Sequence, residues 1–480
     1  MCCFTFLICT AYTQPGAVRG TAKPTIDTPT HIAPGLQLPI GQVVRMDLGH
    51  PQCLTDEMHA VIDTEADANV ALLSAARPEL LDHSRGGSPL FVWPTRPKAG
   101  FDDHGYYTVN FLYDHAAAPG TLQDYNCGTR TYDWSSGNHR GTDIILWPYA
   151  WRNMQEGLME VVAAAAGTIV IRRDGYSDAN CSIDGNGNWN GYVIQHEDGS
   201  RAWYMHFTNG GISDKIVGET VEAGEFLGIA GSSGSSNWPH LHFEVRLGNG
   251  SYIDPWDGPC NSTDPGASWW AEQQPVMVPW INRISTHSSI RHDNDCPNPE
   301  ETYEQEYFNT GDSLVLKLHY RDLDLNAVTN LSVIDPTGQP MFQWDFTSPW
   351  GFGATTYAYW PNTITAAWPP GQYIFRAVFD GRTYERIFYV GTAASVTERS
   401  TGTFALVPNP SQGVVTLIGL PAPSSSDHVL IREAAGRIVH NEMLTTSAHA
   451  MDLSKLANGI YFVELHLGAD VHTQRLILEQ

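Results

Sequence analysis

The sequence predicts a mainly β, multidomain chain, and three observations carry that prediction. Apolar residues recur at every second position in Leu314, Leu316, Leu318 and Tyr320, and again in Tyr373, Phe375, Ala377 and Phe379, the spacing of a strand with one buried face. Residues that break strands and form turns are dense, with 44 glycines and 30 prolines. The 480 residues exceed one hydrophobic core and leave room for about three or four domains.

Composition narrows the class. Apolar residues make up 42% and aromatics 11%, enough to build cores and too much for general disorder. With 27 basic against 52 acidic residues the net charge is −25, which excludes nucleic acid and anionic membrane surfaces as expected partners, since both need a basic footprint. No apolar run reaches the roughly 18 residues a transmembrane helix needs.

Taken in order, residues 1–14 read as a signal segment. An apolar stretch from Cys2 to Tyr12 precedes Gln14-Pro15, and the basic residues that normally open such a segment are missing, as in a truncated one. Residues 16–35, rich in Pro, Thr and Gly, read as a linker or exposed leader. The whole N-terminal region, 15–124, shows a helix around Glu65 to Arg77 and strand-like Leu90–Trp93 and Tyr106–Phe111, with no recognisable chemistry. It is either a prosegment over a cleft or, more simply, an extension packed on the next domain.

From 125 to 260 the text is antiparallel β. Met159–Ala164, Gly167–Ile171 and Gly191–His196 are strands, and Glu197-Asp198-Gly199 turns the chain toward the strand that ends at His206. The run Asp184 to Asn188 begins like a calcium loop, but Trp189 and Gln195 stand where glycine and glutamate are required, so a turn-rich loop is expected.

The chemistry centres on Pro239 to Arg246, a strand by its alternation, on which His240 and His242 share a face. Catalytic zinc takes three protein ligands and keeps one position open, and this strand supplies at most two. His139 and Asp143 stand upstream in Gly137 to Asp143; on a straight strand they would lie about 13 Å apart, too far for one metal, so the chain must bend and Gly141 is expected to allow it. The β-branched run after Gly141 argues against a helix there. His206, in Trp203 to Phe207, is a further candidate. Spacing leaves open which of His240 and His242 would meet a metal.

His139-x-Gly141-x-Asp143, Tyr204-x-His206 and His240-Leu241-His242-Phe243-Glu244, with Gly231–Gly234 before the last and Ile253-Asp254-Pro255 after it, resemble the lysostaphin-type (LytM-like) zinc endopeptidases. The resemblance covers 125–260 and implies an antiparallel β domain of the duplicated hybrid motif type. It implies one Zn2+ per chain on His139, Asp143 and His242, with His206 and His240 as catalytic histidines beside it. The activity it implies is hydrolysis, by a zinc-activated water, of peptide bonds in peptidoglycan cross-links or Gly-rich peptides. Two departures, the bulky Trp147–Gly157 stretch and the lengthened Cys181–Gly191 loop, bear on substrate preference and not on the metal site. Of Trp134, Trp147, Trp151, Trp203 and Trp238, most are expected in the core and one or two in a cleft. The alternative is a catalytically inactive peptidase-fold scaffold or cell-surface binding protein, which would be marked by lost ligands; all the polar positions are kept here.

Residues 261–300, through Trp269 and Trp270, read as a linker. Residues 301–390 read as an immunoglobulin-like sandwich in which Asp380-Gly381 joins two strands, serving as a spacer or surface attachment. After a second linker, 391–403, the segment 404–480 carries Pro408-Asn409-Pro410, Ala435-Gly436-Arg437, Asp452 to Leu456 leading to Gly459-Ile460-Tyr461, and Arg475 to Leu478. In that order they resemble the C-terminal sorting domain of type IX secretion cargo, which implies that machinery as a partner, and export through the periplasm to the outer surface or medium.

An exported chain usually pairs its cysteines. Beyond the first segment stand Cys53, Cys127, Cys181, Cys260 and Cys296. Their positions around the peptidase-like domain suggest Cys127–Cys181 and Cys260–Cys296, with Cys53 left over. No two are close enough in sequence to form a zinc knuckle.

Overall fold

A computed structural model describes residues 19–37, 40–47, 54–81, 88–118, 120–134, 137–182, 187–264, 266–291, 294–391, 404–420, 427–433, 438–444, 446, 448–467 and 470–479. The expected signal segment, Cys53, Asp184-Gly185-Asn186, residues 392–403 and Ala435-Gly436-Arg437 lie outside them. The chain is mainly β and divides into two bodies, 1–390 and 391–480.

In the first body the predicted alternation at His240–Arg246 makes that strand an interior member of an eight-stranded sheet, flanked by Arg201–Met205 on one side and Gly141–Leu146 on the other. Leu241, Phe243 and Val245 belong to the core that also holds Val161, Leu227 and Ala230 of a second, four-stranded sheet. His240, His242, Glu244 and Arg246 therefore share the opposite face. The turn after Gly191–Gln195 is the expected hairpin: His196 N–H donates to the Ser200 carbonyl at 2.8 Å, and Gly199 supplies a φ of +86°.

A helix, α1 (Asp56–Ala76), lies on that same histidine-bearing face. It begins well before the expected Glu65, because the Thr55 hydroxyl caps it by accepting from Met58 N–H, and Asp56 and Glu57 occupy its first turn. Leu54, Ile62 and Ala66 are buried against Val170, Val193, Trp203 and Met205. Acidic residues of the helix meet a row of arginines on the sheet: Asp56 with Arg140, Asp63 with Arg246, Glu65 with Arg173 and Asp67 with Arg201. Each large buried apolar side chain contributes about 1.5–3 kcal/mol and a partly exposed ion pair about 0–1 kcal/mol, so burial anchors the helix and the charges set its register.

The sandwich is larger than its expected 301–390 span. Its two sheets, of five and six strands, recruit Trp280–His287 from the expected 261–300 linker, and Arg19–Pro24, Ile26–Ile32 and Gln42–Asp47 from the N terminus. Arg19–Pro24 and Ile26–Ile32 each form the outermost strand of a sheet. Within the Pro- and Thr-rich text of 16–35, Arg19–Pro24 and Ile26–Ile32 are thus edge strands and not linker: proline is tolerated at sheet edges and bulges, and the register of Ile26–Ile32 shifts between Pro29 and His31. Thr95–Pro97 and Tyr107–Phe111 likewise complete the four-stranded sheet and the eight-stranded sheet that carries the histidines. A detachable prosegment over 15–124 is inconsistent with this, since its removal would strip strands from four sheets. Trp269 and Trp270 are core residues, held by backbone hydrogen bonds between Phe91 and both Trp269 and Ala271.

The Trp147–Gly157 stretch, which contains α2 (Ala150–Gln155), docks on the sandwich and its approach. Trp147 Nε1 donates to the Tyr320 carbonyl at 2.9 Å, and the Glu300 carboxylate accepts from the backbone N–H groups of Trp151 and Arg152. Asp380 and Gly381, both at positive φ, form the predicted hairpin turn.

The disulfides correct the expected pairing: they are Cys127–Cys260 and Cys181–Cys296, with Cα atoms 5.1 and 5.9 Å apart. Cys260 N–H donates to the Tyr125 carbonyl, bringing the exit of the histidine-bearing domain against the turn that carries Cys127. The lengthened loop carrying Cys181 is tied instead to the segment entering the sandwich.

The second body is a three-stranded and a four-stranded sheet around Leu417, Val429, Ile431, Val463, Leu465 and Leu476. Asn409, between two prolines, fixes the final strand, donating to the Arg475 carbonyl at 2.6 Å and accepting from Ile477 N–H at 2.9 Å.

Candidate active site

Strand register assembles the site. His242 stands directly opposite Asp143 on one neighbouring strand and Met205 on the other. His139, in the bend before Gly141–Leu146, brings its Nε2 to 3.2 Å from Asp143 Oδ1 and 3.4 Å from His242 Nδ1; His242 Nδ1 is 2.8 Å from the same carboxylate oxygen. These three residues form a group able to hold a metal ion. Gly141 serves differently from the expectation. Its φ is not left-handed, and a Cβ there would lie 2.6 Å from His242 Cε1, so glycine is needed to admit the imidazole.

The hydrogen bonds around the group fix which nitrogens face inward. His139 Nδ1–H donates to the Leu112 carbonyl at 2.7 Å, and His242 Nε2–H donates to the Glu244 carboxylate at 3.4 Å. The lone pairs of His139 Nε2 and His242 Nδ1 then point at each other and at a carboxylate oxygen, an arrangement that a cation relieves. Asp143 Oδ2 is buried with no hydrogen-bond partner among the described residues. Two imidazoles and one carboxylate form a donor set suited to zinc, so the residues fit that ion. Burial works against ionising Asp143, but positive charge on the imidazoles of His139 and His240 outweighs it and holds the carboxyl well below the usual range; a cation between the inward lone pairs would act in the same direction.

His206 and His240 flank the group with ring centroids 4.5 Å apart. His206 has a φ of +70°, uncommon for a residue with a side chain, at the junction between Arg201–Met205 and Phe207–Ile212. Each ring is oriented through Nδ1, His206 by the Ser233 carbonyl at 2.6 Å and His240 by the Trp238 carbonyl at 2.7 Å. Each therefore carries its proton on Nδ1, and His240 Nε2 is 3.8 Å from Asp143 Oδ1.

Several residues outside the expected set support this arrangement. Glu244, buried, accepts from His59 Nε2 of α1 at 3.0 Å and from Arg246 Nε at 2.8 Å besides His242. Burial opposes its charge, and His59 and Arg246 outweigh that cost and hold its carboxyl well below the usual range. Tyr132 stacks on His139 with ring centroids 4.4 Å apart. Period two puts Glu244 on the face of His242 and was a usable signal; Leu112, Tyr132 and His59 come from distant segments that no local pattern links to the site.

Between Asp143, His240, Trp238, Asn110 and Phe111 lies a cavity of about 20 Å3, enough for one water. Trp238 borders this cavity but is itself buried in the core. Trp147 and Trp151 face the sandwich and its approach, Trp203 lies under α1, and the side chain of Trp134 is outside the described residues.

Residues 137–255 match peptidase family M23, and residues 405–479 match the secretion system C-terminal sorting domain. Over 120 residues the chain is 38% identical to lysostaphin of Staphylococcus simulans, covering 25% of this chain and 20% of that protein. It is 32% identical over 120 residues to glycyl-glycine endopeptidase ALE-1 of Staphylococcus capitis, covering 25% of this chain and 28% of the relative. A solved structure of the catalytic domain of the antimicrobial peptidase lysostaphin from Staphylococcus simulans aligns at 26% identity over 31% of this chain and 89% of that one, with a TM-score of 0.21. The chain spans less than a third of the length of these curated relatives.

Proposed function

From a chain that carries an M23 peptidase domain and a C-terminal sorting domain, we propose a secreted zinc metalloendopeptidase that cuts peptide bonds in peptidoglycan cross-links or Gly-rich peptides. The observation that carries the reading is the convergence of His139 Nε2, His242 Nδ1 and Asp143 Oδ1, each imidazole turned inward by a hydrogen bond on its other nitrogen. Zinc held there supplies polarisation of a scissile carbonyl and a water whose pKa falls to about 7.

The chain's own residues supply the rest. His206 and His240, protonated on Nδ1, present Nε2 as a proton acceptor; once protonated, the same nitrogen donates a hydrogen bond to a developing oxyanion or returns the proton to the leaving amine. The low exposure of the five residues, between 1% and 4%, excludes bulk water and strengthens each of these interactions. Gly-rich substrates suit a site this closed, and the similarity to ALE-1, a glycyl-glycine endopeptidase, supports the same class. The sorting domain supports release at the cell surface or into the medium by type IX secretion.

The test is metal content and turnover of the full chain. About one zinc per chain is expected, with release of fragments from peptidoglycan or pentaglycine that a chelator abolishes. His139→Ala and Asp143→Ala remove metal and activity together, whereas His206→Ala keeps the metal and loses about 100- to 10,000-fold in rate. Zinc-loaded protein that cuts neither substrate class would replace the enzyme reading with an inert scaffold.

A further inference from the structure

A cleft of about 600 Å3 opens between the strand Tyr107–Phe111 and the sandwich, and it shares Asn110 and Phe111 in its lining with the small cavity at Asp143 and His240. Resting on the peptidase reading, we propose that this cleft binds the peptide flanking the bond to be cut. Asn110 hydrogen-bonds the peptide's backbone, and Arg45 holds a carboxylate that it bears.

Four observations converge on this assignment. The volume lies within the range of clefts that enclose a small ligand or a few residues of chain. The pairing of Tyr107–Phe111 with Gly141–Leu146 slips between Val109 and Phe111, a bulge at Asn110 beside Asp143, and bulges next to active sites re-aim a side chain. The Asn110 amide has no hydrogen-bond partner among the described residues; it offers both a donor and an acceptor, as a peptide group requires.

The fourth observation is charge. Asp124, on the cleft wall, is consumed by the backbone N–H groups of Asn126, Gly128 and Arg130. Arg130 is consumed by the Asp322 carboxylate and the carbonyls of Val109 and Val276. Arg45 is exposed, its guanidinium 5.7 Å from the Trp350 ring, and one Nη1 contact to the Phe352 carbonyl at 3.4 Å leaves further donors. On a chain of net charge −25, an available cation at the cleft selects for an anionic group that the rest of the surface repels. Arg45 stands on Gln42–Asp47, a strand of the sandwich, and Phe352 precedes Gly353–Thr363 in its neighbour, so the sandwich supplies one wall of the substrate cleft.

The experiment uses zinc-loaded full chain and end-blocked pentaglycine peptides flanked on either side by Glu or by Gln. One Glu peptide is expected to show a KM about fivefold below its Gln counterpart, with kcat equal. Arg45→Ala removes that difference, Arg45→Lys restores part of it, and Asn110→Ala raises KM for both peptides. Titrating the same peptides into His206→Ala, which turns over too slowly to interfere, should give the same ratio as a binding constant. Equal KM values for every Glu and Gln pair, or a preference untouched by Arg45→Ala, would overturn the cleft assignment while leaving a cutting enzyme intact. Arg45-dependent binding without cleavage by any form would instead retain the cleft and remove the peptidase reading. Neither binding nor cleavage would remove both.

Discussion

Replacing Glu244 by glutamine tests how the proposed zinc site would orient its ligands without altering any of them. Glu244 is 1% exposed and accepts from His242, His59 and Arg246 at 3.4, 3.0 and 2.8 Å. Glutamine keeps the size, and its amide oxygen can still accept, but the charge is gone, so the hydrogen bond that holds His242 with Nδ1 turned toward Asp143 is weakened. Loss of such an orienting partner weakens metal affinity about 10- to 100-fold, or about 1.4–2.7 kcal/mol at 1.4 kcal/mol per tenfold. Arg246 retains Asp63, so Glu244→Gln should fold; Glu244→Ala, which breaks a buried pair outright, should lose about 3–5 kcal/mol of stability. Competition against a chromophoric chelator measures the affinity, and denaturation of the metal-free forms separates it from stability. A folded Glu244→Gln protein with unaltered zinc affinity would refute the claim that this carboxylate orients the ligand.

Four further outcomes are expected. Gly141→Ala should abolish zinc binding with little loss of secondary structure by circular dichroism, because the added Cβ would meet the His242 ring at 2.6 Å. Burial and the nearby Lys317 push His287 down to about 3, while the unfolded residue titrates near 6.5; its stabilising contribution is therefore full above about 6.5 and is lost as pH falls toward 3. Denaturation across that window should show a loss of roughly a few kcal/mol that His287→Gln flattens. Non-reducing peptide mapping should recover Cys127–Cys260 and Cys181–Cys296, and Cys181→Ser with Cys296→Ser should cost about 2–5 kcal/mol in denaturant titration. Deleting 404–480 should leave the protein in the periplasm of a host with type IX secretion, as read by fractionation; surface appearance of the truncated form would remove the sorting assignment.

Much of the candidate site was readable because its chemistry sits in short motifs on strands. Period two put His240 and His242 on one face, and two residues further along the same face lies Glu244, whose hydrogen bond to His242 Nε2 turns Nδ1 toward Asp143. Gly141 was legible as a required glycine, but for the wrong reason: the constraint is the ring of His242, which the register brings across from the next strand. The edge strands at 19–32 are not separable from linker by composition, because proline and threonine carry the same local signal in both settings; what distinguishes them is pairing, of Ile26–Ile32 with Pro340–Thr347 more than 300 residues away, and of Arg19–Pro24 with Gln42–Asp47, which itself pairs with Gly353–Thr363.

By itself the sequence determined the β class, many of the strands and hairpins, the residue types that can hold a metal, and the two stretches, 125–260 and 404–480, in which motifs occur in order. All of these are properties of neighbouring residues, expressed through side-chain alternation and turn chemistry. Only the tertiary structure decided which cysteines meet, that N-terminal strands complete the sandwich, that α1 covers the histidine face, and which nitrogen of each histidine turns inward. Those outcomes depend on contacts between segments far apart in the chain, whose burial and hydrogen bonds no local spacing records.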